Sequence, residues 1–493
     1  MDILVPLLVA LPLLGAGVSL VLWRQVLAQQ VIGVLTVAAA MAISVAVLVQ
    51  VEADGVVAVD MGGWPAPIGI TLVADLMAAL FLCVSLATVL AVLVYAIGQP
   101  RADKSAFYFH PLYLVLTAGV SASFLTGDLF NLFVAFEIML SASYVLITLG
   151  GSRAQIRAGM TYVVINLMAS TLLITVIGLI YAATGTVNMA DLVGRLDAIP
   201  DGVQAALGAL LLVTFGIKAA IFPLFFWLPD SYPTAPMAVT AVFAGLLTKV
   251  GVYAIIRTQA LLFSGEGFPT TLLLAVAALT MVVGVLGAVA QDDVKRILSF
   301  HIVSQIGYMI FGLALYSVAG LAGAILYVIH HIPVKTSLFL VGGLVEQTTG
   351  TGALGRLGGL VRRTPVVAVL FALPAMSLAG LPPFSGFVGK LSLVQAGLAE
   401  GQWTVTGISL AVSALTLFSM TKIWNAVFWG EPTEPVDGPS RLAAPRLMVA
   451  ATVGLVGLSL GVAAFAQPIY ELSERAAVDI LDPTTYVGAV LDR

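Results

Sequence analysis

LFNLFVAFEIMLSASYVLI, residues 129–147, is long and apolar enough to cross a bilayer, yet it holds a carboxylate near its middle. About 20 apolar residues span the hydrocarbon layer as a helix, because every backbone amide there must be satisfied without water. Ser141 and Tyr144 follow Glu137 at i+4 and i+7, which makes one polar stripe that should face protein or water and not lipid. A charge at the bilayer centre costs at least about 2.5–3.5 kcal/mol on insertion scales, so a spanning segment keeps one only where it is paired, hydrated or used.

The rest of the chain repeats this pattern. Of 493 residues, 60% are hydrophobic and 9% are charged, against roughly 25% charged in a soluble domain. The apolar runs recur from end to end and leave no segment for a water-facing shell, which excludes a soluble fold and makes the lipid bilayer the solvent. The reading is an all-α polytopic membrane protein of about fourteen spans. They are predicted at 2–22, 31–50, 70–97, 109–126, 128–149, 159–182, 203–227, 233–257, 270–290, 297–317, 320–345, 367–398, 404–428 and 444–466.

With the N-terminus outside, the inner loops hold Arg24, Arg101, Lys104, Arg153, Arg157, Lys295, Arg296, Arg356, Arg362, Arg363, Arg441 and Arg446, and the outer side holds Arg195, Arg257, Arg475 and Arg493. That asymmetry satisfies the positive-inside rule and places both termini outside. Asp75, at the outer end of its span, reads as a hydrated group or as the mark of an outer mouth. The net charge of −4, with no basic cluster interleaved with aromatics, leaves no footprint for nucleic acid. Cys83 is the only cysteine, which excludes an internal disulfide, a thiolate metal site and an iron–sulfur cluster held by this chain alone. No cofactor and no metal is expected.

Five lysines fall inside predicted spans: Lys218, Lys249, Lys335, Lys390 and Lys422. Lys218 lies in TFGIKAAIFPLFFWLPD (214–230), where Pro223 removes a backbone donor and should break the helix; Lys390 lies in LAGLPPFSGFVGKLSLV (378–394), where Pro382 and Pro383 argue for a second break. Interrupted hydrophobic helices in two halves of a chain point to an ion site. Lys218 to Lys390 is 172 positions and Lys249 to Lys422 is 173, a near-constant offset that suggests two five-span repeats, spans four to eight and nine to thirteen. An odd number of spans inverts the second copy. The expected divisions are an N-terminal part at 1–108, repeats at 109–258 and 259–430, and a last span with an outward tail at 431–493.

Between the two breaks, His301, Ser304, Gln305 and Tyr308 share a segment, and His330, His331 and Lys335 share the next. Together with Glu137, Lys218, Lys249 and Lys390 they make a chain of titratable or hydroxyl groups along which protons can hop with water in the gaps. Plainer readings stand beside this one. Lys422, near the inner end of its span, can snorkel to the headgroups; Glu137 can be a structural ion-pair partner; either histidine can simply bond a neighbouring helix. His330 and His331 point about 100° apart on a helix and have no ligand-spaced Cys or carboxylate nearby, which argues against a metal.

The segments LTGDLFNLFVAFEIMLSASYVLI (125–147), LPDSYPTAPMAVTAVFAGLLTKVGVYAI (228–255), QDDVKRILSFHIVSQIGYMI (291–310) and AGLPPFSGFVGK (379–390) resemble the proton-translocating, antiporter-like subunits shared by respiratory complex I and the Mrp multisubunit Na⁺/H⁺ antiporters, over roughly residues 70–430. A lysine at Lys390 is more like the D-type subunits of the Mrp group than the complex I subunits, which commonly carry glutamate there. The resemblance implies that the family's key glutamate falls on Glu137, its broken-helix lysines on Lys218 and Lys390, its central lysine on Lys249 and its histidine on His330. It further implies a bacterial or archaeal cell membrane, other small membrane subunits as partners, and exchange of cytoplasmic sodium for outside protons. The alternative is a proton-pumping membrane subunit of a complex I-type NADH:quinone oxidoreductase.

Overall fold

A computed structural model describes residues 3–99, 108–263, 270–431 and 444–492; Arg101, Lys104, Arg441 and Arg493 lie outside the described residues. Among these, twelve helices are long and apolar enough to cross a membrane, and Phe109–Leu125 and Pro365–Ala379 are shorter apolar helices. The chain opens with α1 (Leu4–Val21), α2 (Val26–Asp54) and α3 (Leu76–Gly98), followed by α4 (Phe109–Leu125), α5 (Leu129–Thr148) and α6 (Arg153–Thr184). Between α2 and α3 an antiparallel hairpin pairs Val57–Asp60 with Thr71–Ala74, so the segment predicted to begin at 70 enters as a strand and becomes helical at Leu76. Asp75 makes that switch, its side chain accepting from the Ala78 amide at 2.9 Å as the helix N-cap.

A short helix, α7 (Met189–Leu196), leads into α8 (Asp201–Ala219), the short α9 (Trp227–Ser231) and α10 (Met237–Leu261). Then come α11 (Thr270–Val289), α12 (Val294–Ala314), α13 (Val318–Thr349), the half-helices α14 (Pro365–Ala379) and α15 (Ser385–Ala399), α16 (Trp403–Trp429), α17 (Arg446–Ala464) and two terminal helices, α18 (Ala466–Leu481) and α19 (Thr484–Leu491). Burial sorts them. The apolar stretches of α10 and α13 are buried throughout, whereas α1, α2, α6, α16 and α17 are buried over less than half of theirs. The two central helices are also the ones that carry Lys249, His330, His331 and Lys335, all fully buried. Helices that never meet lipid can hold polar groups that a peripheral helix cannot.

Two corners of the chain share one design. Both α6 and α13 begin on a capping serine, Ser152 or Ser317, and end on a left-handed glycine, Gly185 or Gly350. After each, a threonine hydroxyl closes the turn (Thr184 Oγ1 to Thr186 O at 3.2 Å; Thr349 Oγ1 to Thr351 O at 3.0 Å). An isolated β-bridge then links the chain back to the residue capping the preceding helix, Asp128 with Asn188 and Asp293 with Ala353. Each pair of landmarks is separated by 165 positions.

The breaks share a second design. α8 ends with Ala220 at φ +60° and α14 with Gly380 at φ +86°. In each, the next two amides fold back on the helix: Ala220 to Ile217 O and Ile221 to Gly216 O, and Gly380 to Ser377 O and Leu381 to Met376 O, at 3.1–3.2 Å. This doubly bonded C-terminus satisfies two of the carbonyls that a helix end leaves open. The prolines then prevent the helix from resuming at once. Ala220 to Gly380 and Pro223 to Pro383 are both 160 positions, so the lysine spacing of 172 is not the spacing of the breaks.

Ion pairs gather at the two ends of the bundle. Lys295–Glu346, Arg296–Asp230 and Lys422–Asp292 lie at the end predicted to be inner, and Asp75–Arg257, Arg475–Glu52 and Arg195–Asp191 at the opposite one. Asp75 is not a hydrated group: it is 3% exposed and paired with Arg257. Lys422 reaches to the inner end of the bundle. Its ammonium bonds the carbonyls of Val289 and Gln291 and the Asp292 carboxylate, at 2.7–3.2 Å, and so caps the end of α11.

Candidate functional site

In the first half of the chain, Glu137 and Lys218 are joined through a third residue. Lys218 Nζ donates to Ser170 Oγ at 3.2 Å, and the Ser170 hydroxyl donates in a short bond to Glu137 Oε1. A hydroxyl has one hydrogen and two lone pairs, so it can accept from the ammonium while donating to the carboxylate. Lys218 sits in the last turn of α8 and is 4% exposed, where the negative end of the half-helix favours a cation. The Phe136 ring lies 4.9 Å from its nitrogen. Glu137 is half-buried and Ser141 is exposed on the same face.

α8 can approach α10 at this point only because residue 251 is glycine, where an added Cβ would lie 2.7 Å from the Ala219 amide. A small cavity with room for about one water molecule lies beside Lys218 and extends past Tyr162 and Asn166 to Leu247. Leu247 closes a π-helical turn, Phe243–Leu247, within α10. Lys249 follows two residues on, its Nζ bonding Ala244 O at 2.6 Å and Thr248 Oγ1 at 3.3 Å. Irregular turns of this kind are frequent at functional sites in helices.

In the second half, Lys390 lies just after its break, whereas Lys218 lies just before the first. Lys390 Nζ reaches back across the break to Leu378 O and Ala379 O at 3.0 and 3.2 Å, the two terminal carbonyls that the helix-end bonds do not use. Both breaks therefore have a lysine beside the C-terminal end of the first half-helix, but only Lys390 brings its ammonium to the carbonyls there, whereas Lys218 sends its own to Ser170. Two bonds to a charged donor contribute about 1.5–3 kcal/mol each, enough to offset the insertion cost of about 2.5–3.5 kcal/mol. The Tyr308 ring lies 4.9 Å from Lys390 Nζ.

The groups between the two lysines are joined by hydroxyls. His330 Nδ1 bonds Ser385 Oγ at 2.8 Å, with Ser377 Oγ 3.3 Å further on. Tyr327 donates in a short bond to Gln305 Oε1, and His301 Nε2 shares a short bond with Ser419. Among the described residues, His331 and Lys335, one turn apart on α13, make no side-chain hydrogen bond; both are fully buried. Lys335 has within electrostatic reach Lys249, His301 and His331. Among the described residues, no three His, Cys, Asp or Glu side chains come together as metal ligands.

Two members of the sequence-derived relay turn away from it. Ser304 donates to Met281 O on α11 at 3.0 Å, and the Tyr308 hydroxyl is engaged by Ser409 O and Ser413 Oγ on α16 at 2.6 and 2.8 Å, leaving only its ring beside Lys390. Sequence reasoning missed Ser170, Tyr327 and Ser385. A hydroxyl in an apolar run costs little and carries no signal by itself; what would have exposed Ser170 is its place on the same face of α6 as Tyr162 and Asn166, eight and four residues earlier.

Residues 126–416 match the family described as NADH:quinone oxidoreductase/Mrp antiporter, TM. A D-type Na⁺/H⁺ antiporter subunit from Alkalihalophilus pseudofirmus is 45% identical over 467 residues, covering 94% of each chain. The D-type Na⁺/H⁺ antiporter subunit from Bacillus subtilis is 39% identical over 494 residues, covering 99% of each. A chain in the structure of the Mrp complex from Dietzia sp. superposes with a TM-score of 0.94 at 38% identity, over the full length of both.

Proposed function

The chain belongs to the transmembrane family shared by NADH:quinone oxidoreductases and Mrp antiporters, and from that premise we propose that it is the D-type subunit of a multisubunit Na⁺/H⁺ antiporter and moves protons through its interior. The observation that carries the reading is the Glu137–Ser170–Lys218 link, a carboxylate and an ammonium sharing one hydroxyl inside a membrane. Moving a proton at either end changes the charge seen by the other across a low-dielectric gap, and that coupling is what a transport cycle needs.

From Lys218 the path runs by the cavity to Lys249, then by Lys335 and His331 to His330 and Lys390, with Gln305 at its side. Ser304 and the Tyr308 hydroxyl do not belong to it. The path crosses between two inverted five-helix units at 109–258 and 259–430, a division supported by the corners and breaks that recur at 165 and 160 positions. The subunit works in a bacterial or archaeal cell membrane with both termini outside, beside other small membrane subunits, and sodium and protons are the exchanged ions. The relatives in which 39–45% of residues are identical are named as antiporter subunits, which favours this reading over a redox pump.

The test is sodium-dependent proton exchange in vesicles holding the whole complex. Glu137→Ala and Lys218→Ala should each abolish exchange in complexes that still assemble. Parental exchange in an assembled Lys218→Ala complex removes the path.

A further inference from the structure

The outer end of α10 carries a charge that this path does not use. Lys249, Tyr253 and Arg257 recur every four residues and lie along one stripe of a wholly buried helix. Arg257 is held from several sides. Its Nη1 pairs with Asp75 Oδ2 at 2.5 Å, with both side chains no more than 4% exposed, and its Nη2 donates to the Tyr253 hydroxyl at 2.9 Å. That hydroxyl donates onward to Phe124 O at 2.6 Å. The rings of Tyr253 and of Tyr486, on the terminal helix α19, stand 5.2 and 5.4 Å from the guanidinium.

Just beyond this cluster is an open cleft of about 480 Å³ between the end of α2 and α18. Glu52, Asp54, Glu474 and Asp479 line it, with Arg475 the basic residue in its wall. Leu76 and Thr485, which adjoin Asp75 and Tyr486 in sequence, also line it, so its wall adjoins the buried pair. A cleft walled by carboxylates raises the local concentration of cations and protons. The next polar groups inward along α10 are Tyr253 and then Lys249. A proton taking that route would dissipate the gradient without moving sodium.

A guanidinium does not give up its charge at any relevant pH and has no lone pair with which to accept a proton, so it interrupts any chain of acceptors from the cleft to Tyr253. Asp75 holds that charge in place and offsets the cost of burying it. We infer that Arg257, clamped by Asp75 and roofed by α19 through Tyr486, is an electrostatic seal that keeps protons in the outer cleft from reaching Lys249 outside the coupled cycle. The inference rests on the reading of Lys249 as a station on the proton path. A pair that merely tethered the C-terminal helices would depend on the shape of the arginine fork, whereas a seal depends on its charge.

The experiment is passive proton leak into vesicles containing the complete complex, under an imposed pH difference and without sodium. Asp75→Asn combined with Arg257→Gln keeps a hydrogen-bonding pair but removes both charges, and should raise the leak about tenfold, the change that 1.36 kcal/mol off a barrier produces. Arg257→Lys keeps the charge and loses the fork, and should leak like the parent. Should the double variant fail to assemble, Arg257→Gln alone, which removes the charge and leaves Tyr486 in place, should still raise the leak. An unchanged leak in an assembled double or Arg257→Gln complex overturns the seal, and so does an equal leak in Arg257→Lys and Arg257→Gln. A raised leak that Lys249→Met does not suppress overturns the inward route, while sodium-dependent exchange in Lys218→Ala decides the proton path separately.

Discussion

Tyr162, Asn166 and Ser170 on α6 and Tyr327, His331 and Lys335 on α13 stand at the same places on two helices of equal length, 165 positions apart, yet their surroundings differ in charge. In the first half a carboxylate is built in, and Ser170 ties Glu137 to Lys218. In the second half the position of the bridging serine is taken by Lys335, and no Asp or Glu occurs in 294–345, 365–399 or 403–429. Lys390 is instead held by two backbone carbonyls. The difference teaches that a buried ammonium can be kept in two ways. One uses a titratable partner that answers when the proton moves; the other uses a helix end whose dipole cannot titrate.

The largest effect expected from this contrast is at Lys390. Because no carboxylate there can substitute, Lys390→Met should lower sodium-dependent exchange about 100-fold, in the range of a lost acid–base group; a loss of less than about threefold in an assembled complex would mean that the second break carries no proton. Ser170→Ala should slow exchange about tenfold, equivalent to one charge-assisted hydrogen bond, while leaving assembly intact. A parental rate there would show that Glu137 and Lys218 communicate without the hydroxyl.

Stability should separate the halves by sign. Lys218→Met leaves Glu137 without its cation and should lower the thermal stability of the purified complex by about 2 kcal/mol, less than the usual 3–5 for a fully buried pair because Glu137 is half-buried. Lys335→Met removes an ammonium with no hydrogen-bond partner among the described residues and should leave stability unchanged or raise it by about 1–3 kcal/mol. Equal destabilisation by both changes would contradict the contrast. The smallest effect belongs to Ser304→Ala, whose hydroxyl faces α11: exchange should stay within about twofold of the parent, and a larger drop would restore Ser304 to the relay.

Much of the candidate site was legible in the sequence. Glu137, Lys218, Lys249 and Lys390 declare themselves because charge inside a 20-residue apolar run has no inexpensive explanation, and Pro223, Pro382 and Pro383 mark the breaks because proline lacks a donor. The lysine spacing misled. Lys218 and Lys390 lie on opposite sides of their breaks, and the backbone position of a long flexible side chain does not fix where its ammonium goes. Asp75 was misread for a related reason: proximity to a helix end says nothing about whether another helix covers it, and Arg257 does.

The order of residues was enough to determine the solvent, the helical class, the breaks and the buried charges, since each follows from the local cost of placing a group in hydrocarbon. It could not decide which charge meets which. Ser170 between Glu137 and Lys218, the carbonyls that hold Lys390, and Asp75 against Arg257 are contacts between residues 11 to 182 positions apart. Electrostatic and hydrogen-bond energies depend on distances of a few ångströms, and only the packing of the helices sets those distances.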